Sequence, residues 1–566
     1  MSKTDRSADD SSLTLGRREL VFAGAAAFAA GTLGLGGLLG CSGRERASQG
    51  ASASTSPRTG GELRVAFDGA AIATFVLDPH NSGFAPHNRV MRSIYDNLVR
   101  LLPDQTVGPW LAESFELSAD RKTYVFKLRR GVTFHDGTVF DAAAVKANFE
   151  RLSNVRLALS SRSSLGPYES SEVIADDELR VSLSEPFAPF LRNLSMTKLA
   201  IVSPTAVAKY GQDYAVHPVG TGPFRFVSLK QGAEIRLERN ADYRWPAGAG
   251  ATSDGSARPA YLERLTFLNV PEESTRVAVL RGRQVHAADL IPPQNLPAFK
   301  SDASFQVLEK EMLNTNYALA LNVTRAPWDD EELRLAVRLS LDIATIVRVI
   351  YLGSVSRAWS SLSPSMFGSA EAALKNSWQP NPARAIEILT RKGWKPGADG
   401  TRELAGKRLS IQFIDSQGNR EKRLDVMQLI RRQLAVSGIN LSIGTFPASL
   451  HAAKIAANEY DLTAGASFHG DPDILRQSYV PEARSVLGGS RVVDPEIIEW
   501  LKQGAREVDG ATRAELYGKV QRKVLDKTYA IPIYVLLYNL ATSQGVHGVS
   551  IDTHGFPEFH DAWLEA

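Results

Sequence analysis

Apolar residues follow two kinds of spacing along this chain. Runs in which every second position is apolar predict strands, and runs with apolar residues every three or four positions predict helices. In the first half these patterns predict a strand at 61–67, a helix at 89–102, a hairpin at 123–140, a helix at 141–152, a strand at 178–186 and a hairpin at 220–240. Asp141 is the expected N-cap of the helix at 141–152, because its carboxylate can accept from the first free backbone N–H groups.

The second half of the chain has a different pattern. It predicts a strand at 316–323, helices at 330–353 and 381–394, a strand, a helix and a strand within 408–446, and a fully buried strand at 530–542. A strand–helix–strand order implies a parallel pair of strands. The chain is therefore expected to be an α/β protein with a mixed N-terminal half and a parallel C-terminal half, which would meet at a ligand-binding cleft.

Composition narrows the class of protein. The 566 residues are too many for one hydrophobic core, so two or three domains are expected. The chain is 43% apolar and carries 65 basic and 62 acidic residues without a basic block. This charge distribution argues against nucleic acid as a partner. After residue 41 the sequence contains no apolar run long enough to cross a membrane.

The only cysteine of the chain, Cys41, directly follows an uncharged run from Leu20 to Gly40. A single cysteine forms neither an intramolecular disulfide nor a Cys-rich metal site. The basic pair Arg17-Arg18 precedes the apolar run, and a polar stretch of small residues follows Cys41. This order is typical of an export signal. A transmembrane anchor is the alternative, but the run consists mostly of Ala and Gly and is weakly apolar.

The residues around the cysteine also resemble known processing signals. Leu38-Leu39-Gly40-Cys41 resembles the bacterial lipobox, which implies lipidation of Cys41 and removal of residues 1–40. The segment 15–20, LGRREL, resembles the twin-arginine export signal, although a general-secretory lipoprotein signal stays open. Residues 41–60 are then expected to be a flexible link between the lipid anchor and a soluble body.

Five blocks of the sequence resemble one protein family. They are LAESFELSADRKTYVFKLRRGVTFHDGTVFDAAAVKANFERL at 111–152, PVGTGPFRFVSLKQGAEIRLERNADY at 218–243, LALNVTRAPWDDEELRLAVRLSLDIATIV at 319–347, YDLTAGASFHGDPDIL at 460–475 and ELYGKVQRKVLDKTYAIPIYV at 515–535. These blocks are similar to those of bacterial extracellular solute-binding proteins of the peptide/nickel class. The resemblance runs from about Gly60 to the C-terminus in the order of the family.

The resemblance implies a two-lobed, type II periplasmic-binding-protein fold (a Venus flytrap) with an extra inserted domain. The lobes would close on a solute, and the closed form would dock on an ABC permease driven by a cytoplasmic ATPase. The expected domains are a discontinuous lobe I at 61–94, 216–314 and 526–566, an inserted domain at 95–215, and lobe II at 315–525. The implied protein is a monomer, lipid-anchored on the outer face of the cytoplasmic membrane or in the periplasmic space.

Three segments are implied as ligand contacts by the same resemblance. They are the loop after the first strand at 78–87, basic residues near 156–198, and the loop at 467–473. The candidate ligand-binding residues are His80, Ser82, Phe84, Arg156, Lys198, Phe468, His469 and Asp471. Phe468 could stack on a ligand, and Asp471-Pro472 could instead be an ordinary turn.

The expected ligand is a peptide or a peptide-like solute. In peptide-binding relatives an acidic residue holds the peptide amino terminus, but the counterpart position here is near Phe468 or His469 and carries no carboxylate. A receptor for a nickel or other metal chelate, with Lys198 and Arg156 on the carboxylates of the chelator, stays open, as do an oligosaccharide receptor and a sensor module. The histidine that nickel relatives present to metal falls near Ala483. His80 and His87 are too isolated to predict a metal site, and no cofactor is expected.

The rival class is a secreted hydrolase. Ser195 and Lys198 form a Ser-x-x-Lys tetrapeptide, in which a lysine can activate a serine nucleophile. The accompanying Ser-Asp-Asn and Lys-Thr-Gly elements are absent from the sequence, and so are other catalytic motifs. A binding protein without catalytic residues is therefore the favoured interpretation.

Overall fold

The computed structural model describes residues 56–69, 75–82, 84–154, 159–244, 258–483 and 489–565. Most strands belong to three sheets. The strands of the seven-stranded sheet are, in order, Phe305–Glu311, Leu537–Ser543, Ala287–Asp289, Glu62–Phe67, Arg264–Asn269, Glu234–Arg239 and Phe224–Lys230. Those of the five-stranded sheet are Asn440–Phe446, Ser410–Ser416, Leu462–Gly465, Tyr317–Leu321 and Ala530–Tyr534. Those of the four-stranded sheet are Ala112–Leu117, Thr123–Leu128, Glu178–Leu183 and Tyr168–Ala175.

The helices and the short strands complete the secondary structure. The α-helices are Ala85–Met91, Ala142–Ser153, Leu159–Leu165, Phe190–Leu194, Pro204–Tyr210, Glu273–Arg281, Leu296–Ser301, Glu331–Leu339, Ile343–Tyr351, Glu371–Leu374, Pro382–Arg391, Arg423–Val436, Ala448–Ala456, Ile474–Tyr479, Pro495–Arg506 and Gly510–Asp526. The short strands are Val99–Leu101, Val107–Pro109, Lys395–Pro396, Arg402–Leu404, Lys407–Arg408, Val546–His547, Ser550–Ile551, Pro557–Glu558 and Trp563–Leu564. Within the described ranges, no helix is both long and apolar enough to cross a membrane.

The seven-stranded sheet is mixed, as its sequence pattern predicted for the first half of the chain. Glu62–Phe67 runs parallel to its neighbours Arg264–Asn269 and Ala287–Asp289, and the other pairs are antiparallel. Its alternating apolar side chains, among them Leu63 and Phe267, are buried in one core. The predicted hairpin at 220–240 is present as the pair of strands at the edge of this sheet.

The five-stranded sheet contains the predicted strand–helix–strand unit. Ser410–Ser416 is parallel to Asn440–Phe446 and to Leu462–Gly465. Tyr317–Leu321, however, is antiparallel to both of its neighbours. The expectation of a parallel C-terminal half is therefore wrong, and this sheet is mixed. The strand that differs enters the sheet directly from the seven-stranded sheet rather than through a crossover helix, which removes the reason for a parallel arrangement.

The four-stranded sheet is antiparallel and has its own core. Its helix Ala142–Ser153 begins at the predicted cap, where the Asp141 carboxylate accepts from the Ala144 N–H at 2.8 Å. The ring of Phe149 on this helix stacks on Tyr168 at 5.5 Å. The hairpin predicted at 123–140 is wrong, because Thr123–Leu128 pairs with the preceding strand Ala112–Leu117 and with Glu178–Leu183, and only one bridge joins Thr133 to Val139.

Three other predicted elements are shorter or divided in the structure, because tertiary contacts override the local pattern of apolar residues. The helix predicted at 89–102 ends at Met91, because Arg92 binds Asp552 and the Asn97 amide donates to two distant carbonyls. The helix predicted at 330–353 is two helices, the second capped by Asp342. The strand predicted at 530–542 is also two strands, and they belong to different sheets.

Candidate functional site

The candidate site lies where the carboxyl ends of the parallel strands of the two large sheets come together. The seven-stranded sheet contributes the ends of Glu62–Phe67 and Ala287–Asp289, and the five-stranded sheet contributes the ends of Ser410–Ser416 and Leu462–Gly465. Ligand sites of α/β proteins occur at such ends. We call the space between these two edges the sheet junction. It includes a cavity with an empty volume of about 600 Å³, lined from both sides by residues that include Asp68 and Glu421.

The segment 420–423 brings several charges to the sheet junction. The Glu421 carboxylate binds Arg423 at 2.8 Å and Arg420 at 3.1 Å, and it accepts from the Tyr534 hydroxyl at 3.0 Å. Burial alone would raise the pKa of Glu421, but the two guanidinium groups lower it to about 2. Glu421 is therefore an anion at neutral pH. Glu421 and Lys422 both have left-handed φ angles, 54° and 59°, so this cluster is held in an unfavourable backbone conformation.

Contacts across the sheet junction begin from the same segment. Lys422 pairs with Glu273 of the opposite side at 2.5 Å. The Arg420 guanidinium lies over the Phe84 ring at 5.3 Å, so the predicted contact residue Phe84 does face the second large sheet. The Nε atom of Arg420 is buried and has no hydrogen-bond partner among the described residues. A buried unpaired donor at this position is suited to a polar ligand.

The other two candidates of the first loop are engaged within the protein. His80 is fully buried, and its ring nitrogens contact the Ala200 carbonyl at 2.9 Å and Arg151 at 2.7 Å. Burial lowers the pKa of His80 to about 4, so its ring is neutral. Ser82 forms a short hydrogen bond with the ring of His87. These contacts hold the loop in position.

Lys198 and His469, predicted from distant parts of the sequence, are neighbours in the structure. Both are buried, and the Lys198 charge contributes with burial to a pKa of His469 well below the ordinary value. The ring of His469 lies 3.3 Å from the Ser164 hydroxyl. Lys198 has no hydrogen bond or ion pair with any other described residue, and burial lowers its pKa to about 7.

Phe468 and Asp471, from the same loop, make internal contacts. The Phe468 ring packs edge-on against Phe556 at 4.6 Å. Asp471 is completely buried and binds the Arg513 guanidinium through both oxygens, at 2.6 and 2.9 Å. Burial alone would raise the pKa of Asp471, but Arg513 and Arg192 lower it below its ordinary value. The interactions of Asp471 are those of an ion pair that joins parts of the fold.

Two predicted residues lie outside the described residues. Cys41 and Arg156 belong to the ranges 1–55 and 155–158, so the structure places neither. No group of three or more His, Cys, Asp or Glu side chains that could hold a metal ion occurs in the described parts of the chain.

The serine of the rival hydrolase hypothesis is bonded elsewhere. The Ser195 hydroxyl donates to the Arg192 carbonyl at 2.6 Å and lies 3.2 Å from the Nε2 atom of His554. The serine is 1% exposed. The Ser195 hydroxyl makes no hydrogen bond with Lys198, so the paired nucleophile and base that the tetrapeptide suggested are not formed.

Sequence reasoning missed the charged segment 420–423 and its neighbours Asp415 and His451. The run GNREKR at 418–423 resembles an ordinary solvated loop, which hides its buried charges. One signal was available, because this run directly follows a strand of a strand–helix–strand unit, and such positions form ligand sites.

The sequence itself assigns the protein to a family. Residues 106–480, more than half of the chain, match the family described as bacterial extracellular solute-binding proteins, family 5 middle, and the chain belongs to this family. Its members are substrate-binding receptors of ABC importers and not enzymes. Membership implies a periplasmic location and delivery of a solute to permease components.

Individual relatives agree with this class. Over 460 residues the chain is 28% identical to the glutathione-binding protein GsiB of Pectobacterium atrosepticum, a match that covers 79% of this chain and 84% of that protein. The structure of DppA from Helicobacter pylori in complex with the peptide STSA has a TM-score of 0.75 at 23% identity, covering 90% of this chain and 99% of DppA. AppA from Bacillus subtilis, solved with a nonapeptide, has a TM-score of 0.75 at 19% identity, covering 90% of this chain and all of AppA. The fold is the expected type II periplasmic-binding-protein fold.

Proposed function

We propose that this protein captures a short peptide-like solute that carries a carboxylate. The solute would be held between the lobes, with one carboxylate on Lys198, and delivered to an ABC permease. Glutathione, which GsiB relatives are named for, belongs to this chemical class.

Lys198 is the observation that carries the proposal. The residue is 6% exposed, yet its ammonium has no carboxylate or hydrogen-bond partner among the described residues. A buried ammonium without a partner is unfavourable in the empty protein. A bound carboxylate would remove this cost and form a charge-assisted hydrogen bond. His469, neutral because burial lowers its pKa, could add a second, uncharged contact at the same place.

The side chains at the site favour a small ligand that has both charged and apolar groups. Arg420 and Phe84 offer a cation and an aromatic face at the sheet junction. Peptides supply carboxylates, amides and apolar side chains together, whereas an oligosaccharide brings no charge for Lys198. A metal chelate with free carboxylates also fits Lys198 and is therefore an arm of the test below.

We further propose how the chain is divided and anchored. Lobe I would hold the seven-stranded sheet and the inserted domain at 95–215 the four-stranded sheet. Because Ala530–Tyr534 pairs within the five-stranded sheet, we extend the proposed lobe II from 525 to about residue 535. Cys41 would be lipidated after export, and the mature protein would act as a monomer.

A ligand screen tests the proposed solute. The purified protein would be heated with glutathione, di- to octapeptides, a nickel–histidine complex or oligosaccharides, since a ligand that binds only the folded state raises the melting temperature. Peptides with a free carboxylate should raise the melting temperature, and their amidated or esterified analogues should do so less. Lys198→Met should abolish this difference, whereas Lys209→Met, an exposed lysine of the same region, should keep it. A shift with oligosaccharides alone, or with the nickel complex alone, would overturn the peptide assignment.

The anchor has a separate test. Cells that express the intact chain or Cys41→Ser would be labelled with a radioactive fatty acid and fractionated. Label and membrane association should be lost in Cys41→Ser. Retention of the variant in the membrane fraction would contradict a lipid anchor at this cysteine.

A further inference from the structure

A second cavity lies on the five-stranded sheet, beside the loop that holds Phe468 and His469. Its empty volume is about 690 Å³. Residues of the strands Tyr317–Leu321 and Leu462–Gly465 line it. The polar side chains that line it are those of Thr315, Asn316, Ser361, His451, Thr463, Ser467, Ser478, Tyr479 and Ser490. We call it the hydroxyl cavity.

The hydroxyl cavity contains many hydrogen-bonding groups but no fixed charge. None of its lining residues is Asp, Glu, Lys or Arg. Its titratable rings are uncharged, because burial lowers the pKa of His451 and raises the pKa of Tyr479. The ionisable group that acts on His451 is Asp415, whose own pKa is raised by burial. The cavity is therefore polar and uncharged.

Two polar atoms of the lining lack partners. Asn316 is 1% exposed, and its Nδ2 atom donates to the carbonyls of Ser360 at 3.0 Å and Leu362 at 2.8 Å. Its Oδ1 atom is buried without a partner among the described residues, and so is the Nε2 atom of His451. A buried acceptor left unpaired costs free energy, which a hydrogen-bond donor from a ligand would recover.

We propose that the hydroxyl cavity is a specificity subsite for an uncharged, hydrogen-bonding group of the solute, namely a hydroxyl or carboxamide side chain. This proposal rests on the proposed function, because it assigns one side chain of the peptide-like ligand. Asn316 Oδ1 accepts from the ligand, and the lining hydroxyl groups act as donors or acceptors as required. Charged side chains are rejected because they would lose hydration with no opposite charge to replace it.

The position of the hydroxyl cavity connects it with the rest of the site. Ser467 precedes Phe468 and His469 in the chain, and its N–H donates to the Thr315 hydroxyl at 2.8 Å. His451 lies near Asp415, whose carboxylate opposes the lowering of the His451 pKa, and Arg423 in turn acts to lower the pKa of Asp415. The cavity thus lies between the loop next to Lys198 and the charged segment 420–423.

Calorimetric titration with tripeptides tests this subsite on the unaltered protein. Each of the three positions of Ala-Ala-Ala would be replaced in turn by Asn, Gln, Ser, Leu, Asp or Lys. At one position the Asn, Gln or Ser peptides should bind at least about tenfold more tightly than the Asp and Lys peptides, and more tightly than Leu. Binding of the tripeptides without such a preference at any position would overturn the subsite and leave the proposed function intact. Failure of every tripeptide to bind would overturn the proposed function and the subsite together.

A variant then locates the preference. Ser478→Asp adds a carboxylate to the cavity from a half-buried position on Ile474–Tyr479. It should shift the preferred residue from Asn to Lys, whereas Ser301→Asp, at an exposed position on another helix, should keep the original order. An unchanged order in a folded Ser478→Asp protein, as judged by its melting temperature, would assign the preference to another part of the protein and overturn the proposal. Ser490→Asp provides the same test if the first variant does not fold.

Discussion

Asp471 and Lys198 are two buried charges close to the same loop, yet their surroundings differ completely. Asp471 is 0% exposed and binds Arg513 through two oxygens, with Arg192 at 3.4 Å. Lys198 is 6% exposed and has no ionic partner among the described residues. Both residues were candidates for ligand binding on sequence grounds. Asp and Lys are charged residues, which are rarely buried without a partner.

The difference separates a structural charge from one suited to a ligand. Asp471 is fully compensated, so a ligand could gain little by approaching it. Lys198 carries a cost of burial that no other described residue compensates, and a bound ligand would remove this cost. If this comparison is correct, changes at Asp471 should mainly affect stability, and changes at Lys198 should mainly affect binding.

Asp471→Asn should produce the largest effect on stability. The substitution leaves Arg513 buried opposite a neutral amide, and breaking a buried pair in this way typically costs about 3–5 kcal/mol. Urea unfolding at pH 7 would measure this loss. Glu515→Gln, which removes an exposed pair with Lys519 on the same helix as Arg513, should leave the unfolding curve unchanged. A loss below about 1 kcal/mol for Asp471→Asn would mean that Asp471 is not compensated by its arginines as described.

Lys198→Met should affect ligand binding rather than stability, which is the opposite of the effect expected for Asp471→Asn. Loss of one charge-assisted hydrogen bond of about 1.5–3 kcal/mol should weaken a carboxylate peptide about 10- to 100-fold. The ligand-free protein should be as stable as the parent or more stable, because an unpaired buried ammonium is replaced by an apolar side chain of similar length. Calorimetry and thermal unfolding measure the two effects. A large loss of stability would show that Lys198 has a structural role like that of Asp471.

The effect of pH on stability and on ligand binding gives a second test of the contrast between Lys198 and Asp471. Its folded pKa of about 7 lies below its ordinary value of 10.5, so the unfolded chain takes up the proton first as pH falls. Lys198 should therefore destabilise the ligand-free protein progressively from about pH 10.5 down to 7, with the full cost present below pH 7. Binding of a carboxylate should in turn weaken above pH 7, by up to about tenfold per pH unit. Both trends should vanish in Lys198→Met, and their persistence there would assign them to another group.

The elements that the sequence predicted correctly depend on short-range signals. The cap at Asp141 and the strand–helix–strand unit from Ser410 to Phe446 are examples, since each rests on residues close together in the chain. The sequence at 89–102 has the periodicity of a helix. The helix nevertheless ends early, because Arg92 and Asn97 bind residues that are far away in sequence. No local pattern contains those partners.

The candidate site was predicted only in part for a similar reason. Resemblance to the family pointed to the loop that contains His469 and to Lys198, and the structure brings these two together. It did not distinguish Lys198 from Asp471, because pairing is a property of three-dimensional neighbours. Sequence reasoning missed the charged segment 420–423, because Glu421 is enclosed by two arginines and a tyrosine. The tyrosine, Tyr534, lies more than a hundred residues away in the sequence.

The smallest expected effect concerns the pair between Lys422 and Glu273 at the sheet junction. Their side chains are 22% and 27% exposed, so solvent screens the pair, and its contribution should be at most about 1 kcal/mol. Lys422→Met and Glu273→Gln should each reduce ligand affinity by at most about fivefold. The double variant should add little to either single change, because both remove the same contact. Calorimetry on the three variants measures this coupling, and a loss as large as that of Lys198→Met would mean that Lys422 itself holds the ligand.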